Sequence, residues 1–237
     1  MGEQLEESIS WETMLEQGSQ VSDEQLHSRS AQVSVEDRMM LAYTSGTTGH
    51  PKGVIHCHKP VRNTYERAML LGHNRNDVHL SYLPLFHAYG FSEVAMMVAL
   101  TGGSQVLFDV FEPAQVLDAV EEEGGTVLHG FDSHWADLIR EQQQQERDVT
   151  SLRVGTLPAG MESTVPIARQ VQDVFCPTTS GFGMSETWAF IASSHVTNTL
   201  EQRTEASGYP MYGIEFEVRD LDQGHVLGEN EQGALYV

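Results

Sequence analysis

The stretch Tyr43-Thr44-Ser45-Gly46-Thr47-Thr48-Gly49-His50-Pro51-Lys52-Gly53 combines three glycines, four serine or threonine hydroxyls and one lysine within eleven positions. Glycine tolerates positive φ and lets backbone N–H groups come close to a ligand, while hydroxyls and an ammonium donate to phosphate oxygens. The composition fits a triphosphate cradle; the plain alternative is a flexible surface hairpin loop. On its N-terminal side, Met39-Met40-Leu41-Ala42-Tyr43 is a short apolar run that reads as a buried strand delivering the loop. On the other side Val54-Ile55-His56 continues as an extended run. Pro60 then suits the first turn of a helix, with Val61, Tyr65, Ala68 and Met69 at helical spacing and Gly72 as its stop.

Farther downstream the pattern repeats. Strands are predicted at Val78–Tyr82, Gln105–Phe108, Thr126–Leu128 and Arg153–Thr156, and helices at Ser92–Leu100, Pro113–Glu122, Ser133 to about Gln145 and Val165–Phe175. Strands alternating with helices predict an α/β fold, a largely parallel sheet with flanking helices, whose ligands belong at the carboxyl ends of the strands. After about residue 200 the texture changes: Glu215-Phe216-Glu217-Val218-Arg219 alternates polar with apolar and Asp222-Gln223-Gly224-His225 reads as a turn, the start of a small antiparallel β region. The chain stops at Gly233-Ala234-Leu235-Tyr236-Val237, inside an expected strand, and so reads as truncated. Residues 1–37 are polar and acidic, with a short amphipathic helix expected around Trp11, Met14 and Leu15 and a Gln/Ser/Glu-rich linker after it. Three segments result: 1–37 as an N-terminal linker, 38–200 as the α/β unit, and 201–237 as the opening of a β-rich unit.

With 237 residues, 40% hydrophobic, the chain can bury a full core. Its formal net charge of −21 argues against general nucleic-acid binding. The acidic start and the absence of a membrane-length apolar run read as a cytoplasmic protein without a membrane span. The lysines, Lys52 and Lys59, both lie in or beside the glycine-rich stretch, a locally basic spot on an otherwise repelling surface. Cys57 and Cys176 stand alone and read as buried free thiols. In His56-Cys57-His58, neighbouring strand residues point to opposite faces and no second Cys/His pair stands at ligand spacing, so no metal site is expected there.

A Walker loop leads its lysine straight into a helix, whereas here Pro51 precedes Lys52 and Gly53 follows it, which excludes that motif. The stretch resembles instead the Ser/Thr-Ser/Thr-Gly-Thr-Thr-Gly-x-Pro-Lys-Gly signature of the adenylate-forming enzymes, which include acyl-CoA synthetases, luciferases and nonribosomal adenylation domains. Leu83-Pro84-Leu85-Phe86-His87-Ala88-Tyr89-Gly90 is similar to the Pro-Leu-Phe-His segment of acyl- and aryl-CoA synthetases. Carried over, His87 sits at the acyl carboxylate and Tyr89, with Gly90 beside it, lines the pocket; a hydrogen-bonded histidine closing a loop is the alternative. Leu157-Pro158-Ala159-Gly160-Met161 resembles the family's small-residue turn against the adenine and acyl chain, with Met161 bulkier than usual, although a plain strand-to-helix turn has the same composition. Ser180-Gly181-Phe182-Gly183-Met184-Ser185-Glu186-Thr187 resembles Tyr-Gly-Met-Thr-Glu, with Phe182 for tyrosine and Ser185 for threonine. Glu231–Val237 is similar to the family's Gly-Glu-x-Gly-Glu-Leu strand, with Ala234 where glutamate is usual.

The resemblance covers about residues 38–237 and implies ATP-dependent activation of a carboxylic acid, fatty or aryl, to an acyl adenylate and then transfer to the thiol of coenzyme A. It implies that Thr44, Ser45, Gly46, Thr47, Thr48, Gly49 and Lys52 hold the β- and γ-phosphates, and that Thr44 and Glu186 bind Mg²⁺. Ser185 would meet the α-phosphate, and Phe182, between Gly181 and Gly183, the adenine, beside Ala159, Gly160 and Met161. His87, Lys52 and Glu186 are then the catalytic set. The family's ribose-binding aspartate, hinge and C-terminal lid lysine are expected beyond Val237, so the chain reads as a central fragment of the large N-terminal domain with at most residual adenylation alone. A non-catalytic nucleotide-binding remnant, or an unrelated ATPase or kinase using the loop alone, are the other readings.

Overall fold

A computed structural model describes residues 8–44 and 49–237 of the chain. Its centre is a five-stranded parallel sheet in the order β4-β3-β5-β6-β7, built from β3 (Val78–Ser81), β4 (Ser104–Leu107), β5 (Val127–His129), β6 (Val154–Thr156) and β7 (Thr178–Thr179). Parallel neighbours need crossovers, and each is helical. A wide helical segment, Tyr89–Met96, runs into α4 (Met97–Thr101) between β3 and β4. The later crossovers are α5 (Pro113–Glu123), α6 (Asp132–Gln144) and α7 (Val165–Val174). The first crossover steps to one side of β3 and the next returns past it. Right-handed connections therefore put α4 on one face, with α3 (Pro60–Leu70), and α5, α6 and α7 on the other.

Alternation along the strands feeds two cores. Leu80 and Leu128 pack with Leu117, Trp135 and Leu138 under α5 and α6, all essentially without solvent exposure. Val127 and Val154 face the opposite way, onto Ala68, Leu71 and Met97 of the α3/α4 layer. The same face carries three buried histidines, His73 after α3, His79 on β3 and His129 on β5. Burial lowers His73 to about 3 and His79 to about 4, and pushes His129 well below the usual imidazole range, so all three rings are neutral. Below them Asp77 accepts from Arg153, from the Asn74 backbone and from Thr126. Burial pushes its carboxyl up, but these donors outweigh it and bring the value to about 2. Arg67 and Glu93 form a second ion pair, buried on both sides and completed by Thr64 and Ser92.

Outside the parallel sheet, β8 (Gly181–Met184), β9 (Ala189–Ser193) and β10 (Tyr209–Pro210) form an antiparallel sheet in the order β10-β9-β8, preceded by α8 (Leu200–Thr204) in the crossover to β10. The expected antiparallel region is present as β11 (Glu217–Arg219) against β12 (Ala234–Tyr236). Three expectations are corrected. Met39–Tyr43 belongs to β1 (Arg38–Thr44), which pairs with β2 (Lys52–Cys57) in a two-stranded ribbon rather than in the core. Leu41, Tyr43 and Ile55 share its outer face and stay exposed, at 50%, 71% and 58%. The Gln/Ser/Glu-rich run contains a helix, α2 (Asp23–Ser30), opened by a Ser22/Gln25 capping box, after the expected α1 (Trp11–Gly18); neither helix has a buried residue. The third correction concerns the cysteines: Cys176 is buried, but Cys57 is only half-buried.

That difference predicts reactivity. Burial pushes the Cys176 thiol up to about 12, which leaves roughly one part in 10⁴ as thiolate at pH 8. A disulfide reagent is expected to label Cys57 in the native chain and Cys176 only after denaturation. Equal labelling rates in the folded protein would contradict this packing.

Candidate active site

The carboxyl ends of β3, β5 and β6, with β8, open onto one cleft of about 820 Å³. β3 supplies the loop carrying His87 and Tyr89, β5 supplies Phe131, and β6 supplies Pro158 to Met161. The antiparallel sheet adds Gly181 to Glu186, and the β1–β2 ribbon brings in Thr44 and Lys52, which pair across it in register. Segments that are far apart in sequence thus meet because parallel strands point their ends the same way.

His87 is oriented by its own loop. Its backbone N–H donates to the Pro84 carbonyl at 3.0 Å, and its Nδ1 accepts from the Tyr89 backbone N–H at 3.1 Å. The neutral ring therefore carries its proton on Nε2. His87 thus closes its loop, as one reading of the sequence had it, and also lines the cleft. Tyr89 contributes its ring only. Its hydroxyl donates to the Thr156 carbonyl at 3.2 Å, and burial raises it far above the usual phenol range. Phe131, which follows β5, stands 4.9 Å from the Tyr89 ring and 6.2 Å from that of His87, each edge to face. Sequence reading passed over Phe131, yet its place at the end of a predicted strand was a usable signal.

The Ser185–Glu186 turn is held by a residue not expected to matter. His56 Nε2 lies 2.7 Å from the Ser185 carbonyl, so it donates there, and its ring meets Trp188 edge-on at 4.9 Å. After this 3₁₀ turn, Trp188 and Ala189 both take left-handed backbone, φ 59° and 65°. Such a conformation costs a side-chain-bearing residue roughly 1–2 kcal/mol, so the buried contacts of Trp188 with His56 and Phe91 must hold it. Gly183 has a packing role: a Cβ there would fall 1.7 Å from the Ala189 carbonyl oxygen. Phe182 is half-buried in the cleft and edges against Phe216 at 6.2 Å.

Of the expected site residues, the structure gathers Thr44, Lys52, His87, Tyr89, Ala159, Gly160, Met161, Gly181, Phe182, Gly183, Ser185 and Glu186 into this one cleft. Gly90 is a correction. It sits beneath the cleft, where a Cβ would be 2.4 Å from the Pro84 carbonyl oxygen, and it serves the packing of its loop. Gly49 is exposed with φ 86° and does not line the cleft among the described residues. Ser45, Gly46, Thr47 and Thr48 lie outside the described residues. Lys59 does not share the basic spot with Lys52: it pairs with Glu36 at 2.6 Å and borders a second cavity of about 570 Å³ on the other side of the Glu186 turn. Glu186 has no ion-pair partner among the described residues. Its carboxylate and the Thr44 hydroxyl are hard oxygen donors in the same cleft, a donor set that fits Mg²⁺.

If His56 fastens the turn, His56→Phe keeps the ring contact and removes the bond. It is expected to cost about 1 kcal/mol in urea unfolding and to weaken nucleotide binding further than that loss of stability accounts for. Unchanged binding would show that the turn holds its place without this bond.

The matching family model is that of the AMP-binding enzymes, over residues 3–237. An acyl-CoA ligase of Aspergillus fumigatus, sidI, is 26% identical over 235 residues, covering 96% of this chain and 39% of its own length. The o-succinylbenzoate coenzyme A synthetase of Bacillus subtilis, solved in complex with ATP and magnesium ion, superposes with a TM-score of 0.70 at 27% identity, over 86% of this chain and 41% of the other. In fold alone, a long-chain-fatty-acid-CoA ligase of Archaeoglobus fulgidus gives 0.73 at 24% identity, over 84% and 41%. The chain therefore spans about two fifths of the length of these relatives. Over that span, the glycine-rich ribbon, the cleft at the strand ends and the family match make this chain a member of the AMP-binding enzyme family.

Proposed function

We propose that the cleft activates a carboxylic acid, fatty or aryl, with ATP and passes the acyl group to the thiol of coenzyme A. The observation that carries this is the meeting of Lys52, Ser185, Glu186 and His87 in one cleft with an apolar, partly aromatic wall. An acid carboxylate attacks the α-phosphorus; a new acyl P–O bond forms, the α–β bond breaks and pyrophosphate leaves. The thiol then attacks the acyl carbon and AMP departs. Charge neutralisation and positioning dominate such a reaction.

Each residue has a task within this scheme. Thr44, with the loop after it, and Lys52 hold the β- and γ-phosphates, and Ser185 donates to the α-phosphate. Thr44 and Glu186 would hold Mg²⁺, which supplies positive charge to the phosphate oxygens. Phe182 offers a flat face to the adenine, beside Ala159, Gly160 and Met161. His87, with its proton on Nε2, can donate to the acyl carboxylate and orient it. Tyr89 and Phe131 border the acyl group, and Met161, 66% exposed, sets the reach of that pocket. A cytoplasmic setting belongs to the same proposal; among the described residues no helix is long and apolar enough to cross a membrane.

The test is nucleotide binding by the chain, joined to acid-dependent pyrophosphate exchange by the protein that carries it. Lys52→Ala is expected to lower exchange by roughly 10²–10³-fold, the usual cost of removing one donor to developing charge. Glu186→Gln should raise the Mg²⁺ concentration needed for half-maximal rate. The 237-residue chain alone should bind ATP and exchange pyrophosphate only weakly. Release of ADP rather than AMP, or full exchange by Lys52→Ala, would refute the proposal.

A further inference from the structure

The buried histidines on the α3/α4 side of the sheet have no part in the cleft chemistry. His73, His79 and His129 are each at most 3% exposed, and they offer ring nitrogens that all lie within 4.8 Å of one another. Among these nitrogens, His73 Nε2, His129 Nε2 and both nitrogens of His79 are buried without a hydrogen-bond partner. An unpaired buried polar atom costs roughly 1–3 kcal/mol, so four in one spot call for an occupant. We propose that His73, His79 and His129 form a buried site for a divalent d-block metal ion, Zn²⁺ or its imidazole-seeking neighbours Co²⁺ and Ni²⁺.

Ring geometry supports an ion at the centre. With a metal–nitrogen bond of about 2.0–2.1 Å, a ring centroid stands about 3.2 Å from the metal, and tetrahedral positions then separate centroids by about 5 Å. The three centroid separations are 4.8, 5.8 and 6.0 Å. Tetrahedral bonds of that length place ligand nitrogens about 3.4 Å apart, so the rings, whose nitrogens now lie within 4.8 Å of one another, would draw together on binding.

Proton placement at His129 supports it as well, because a ligating nitrogen needs its lone pair while the other nitrogen carries the hydrogen. At His129, Nδ1 lies 2.9 Å from the Thr156 hydroxyl oxygen and can donate to it, leaving Nε2 as the ligand atom. At His73, Nδ1 faces the Asp77 carboxylate at 3.7 Å. Arg153 Nη2, which can only donate, lies 3.2 Å from the same nitrogen and also donates to the Gly72 carbonyl and Asp77 Oδ2, so in the metal-free chain His73 Nδ1 accepts from it. An ion at His73 Nε2 would shift the ring proton to Nδ1, the nitrogen that faces the Asp77 carboxylate at 3.7 Å. His79 can turn either nitrogen inward. The ion would tie the end of α3 to strands β3 and β5.

The experiment uses the unaltered chain, stripped with chelator, loaded with Zn²⁺ or Co²⁺ and desalted. About one equivalent should stay bound, Co²⁺ should show the intense ligand-field bands of a tetrahedral site with three nitrogen ligands, and the loaded chain should melt at a higher temperature. His79→Asn and His129→Asn should each abolish retention, Thr156→Val should weaken it about tenfold or more, and the exposed-residue controls His27→Asn and His225→Asn should leave it unchanged. Should the two ligand variants fail to fold, the Co²⁺ spectrum of the unaltered chain and the Thr156→Val affinity decide. A folded chain that retains no metal, a weak octahedral Co²⁺ spectrum, or retention undiminished by Thr156→Val together with either folded ligand variant overturns the site.

Discussion

The hydrogen bond from His56 Nε2 to the Ser185 carbonyl joins residues 129 positions apart and fastens the β1–β2 ribbon to the turn that follows β8. Neither partner is secure alone. The β1–β2 ribbon pairs only with itself among the described residues, and two isolated strands are marginal in water. The turn from Ser185 to Thr187 leads into two residues with left-handed backbone, a conformation that relaxes unless its surroundings over-determine it. His56 supplies both restraints at once, through its bond to Ser185 and its edge contact with Trp188. Lys52 at the start of β2 and Glu186 in the turn face one cleft because the two elements are fastened together there.

Charge is arranged with the same economy. In a chain of net charge −21, most arginines near the core are committed: Arg67 to Glu93, Arg147 to Asp118 and Glu141, Arg153 to Asp77. These pairs settle helices and strand ends and have nothing to offer an anionic ligand. Lys52 has no ion-pair partner among the described residues and stands at the cleft. Under the proposed function, a polyphosphate approaching this acidic surface would find its positive partner at Lys52, and Glu186, on the same cleft, would find its own in a metal ion.

Much of this was legible in the sequence. The β3–β6 strands and their crossover helices were readable because strand and helix periods alternate cleanly, with proline opening and glycine closing the α5 helix, whereas the two-residue β7 was too short to leave a pattern. Motifs at predicted strand ends also converge on the cleft, as a parallel sheet requires. What was not legible depends on tertiary partners. The apolar run Met39–Tyr43 looked buried because composition cannot say whether a second layer covers a strand, and here Leu41, Tyr43 and Ile55 face outward together. Gly90 sat inside a recognised motif, but its need is to pass close to the Pro84 carbonyl, a contact made after the chain turns. His56 was hidden in a triplet that drew notice for the wrong chemistry. His73, His79 and His129 are spread over three elements, and only the pairing of β3 with β5 brings them together.

The central claim is that one cleft holds the acyl group, the α-phosphate and the adenine in a single line of contacts. A crystal structure of the chain with a non-hydrolysable acyl-adenylate analogue tests it most directly. The expected result has the adenine against Phe182, the phosphoryl mimic within hydrogen-bond distance of Ser185 and the acyl group beside His87 and Phe131. An analogue seated in the cavity on the far side of the Glu186 turn, or lying with its phosphoryl mimic away from Ser185, would contradict it.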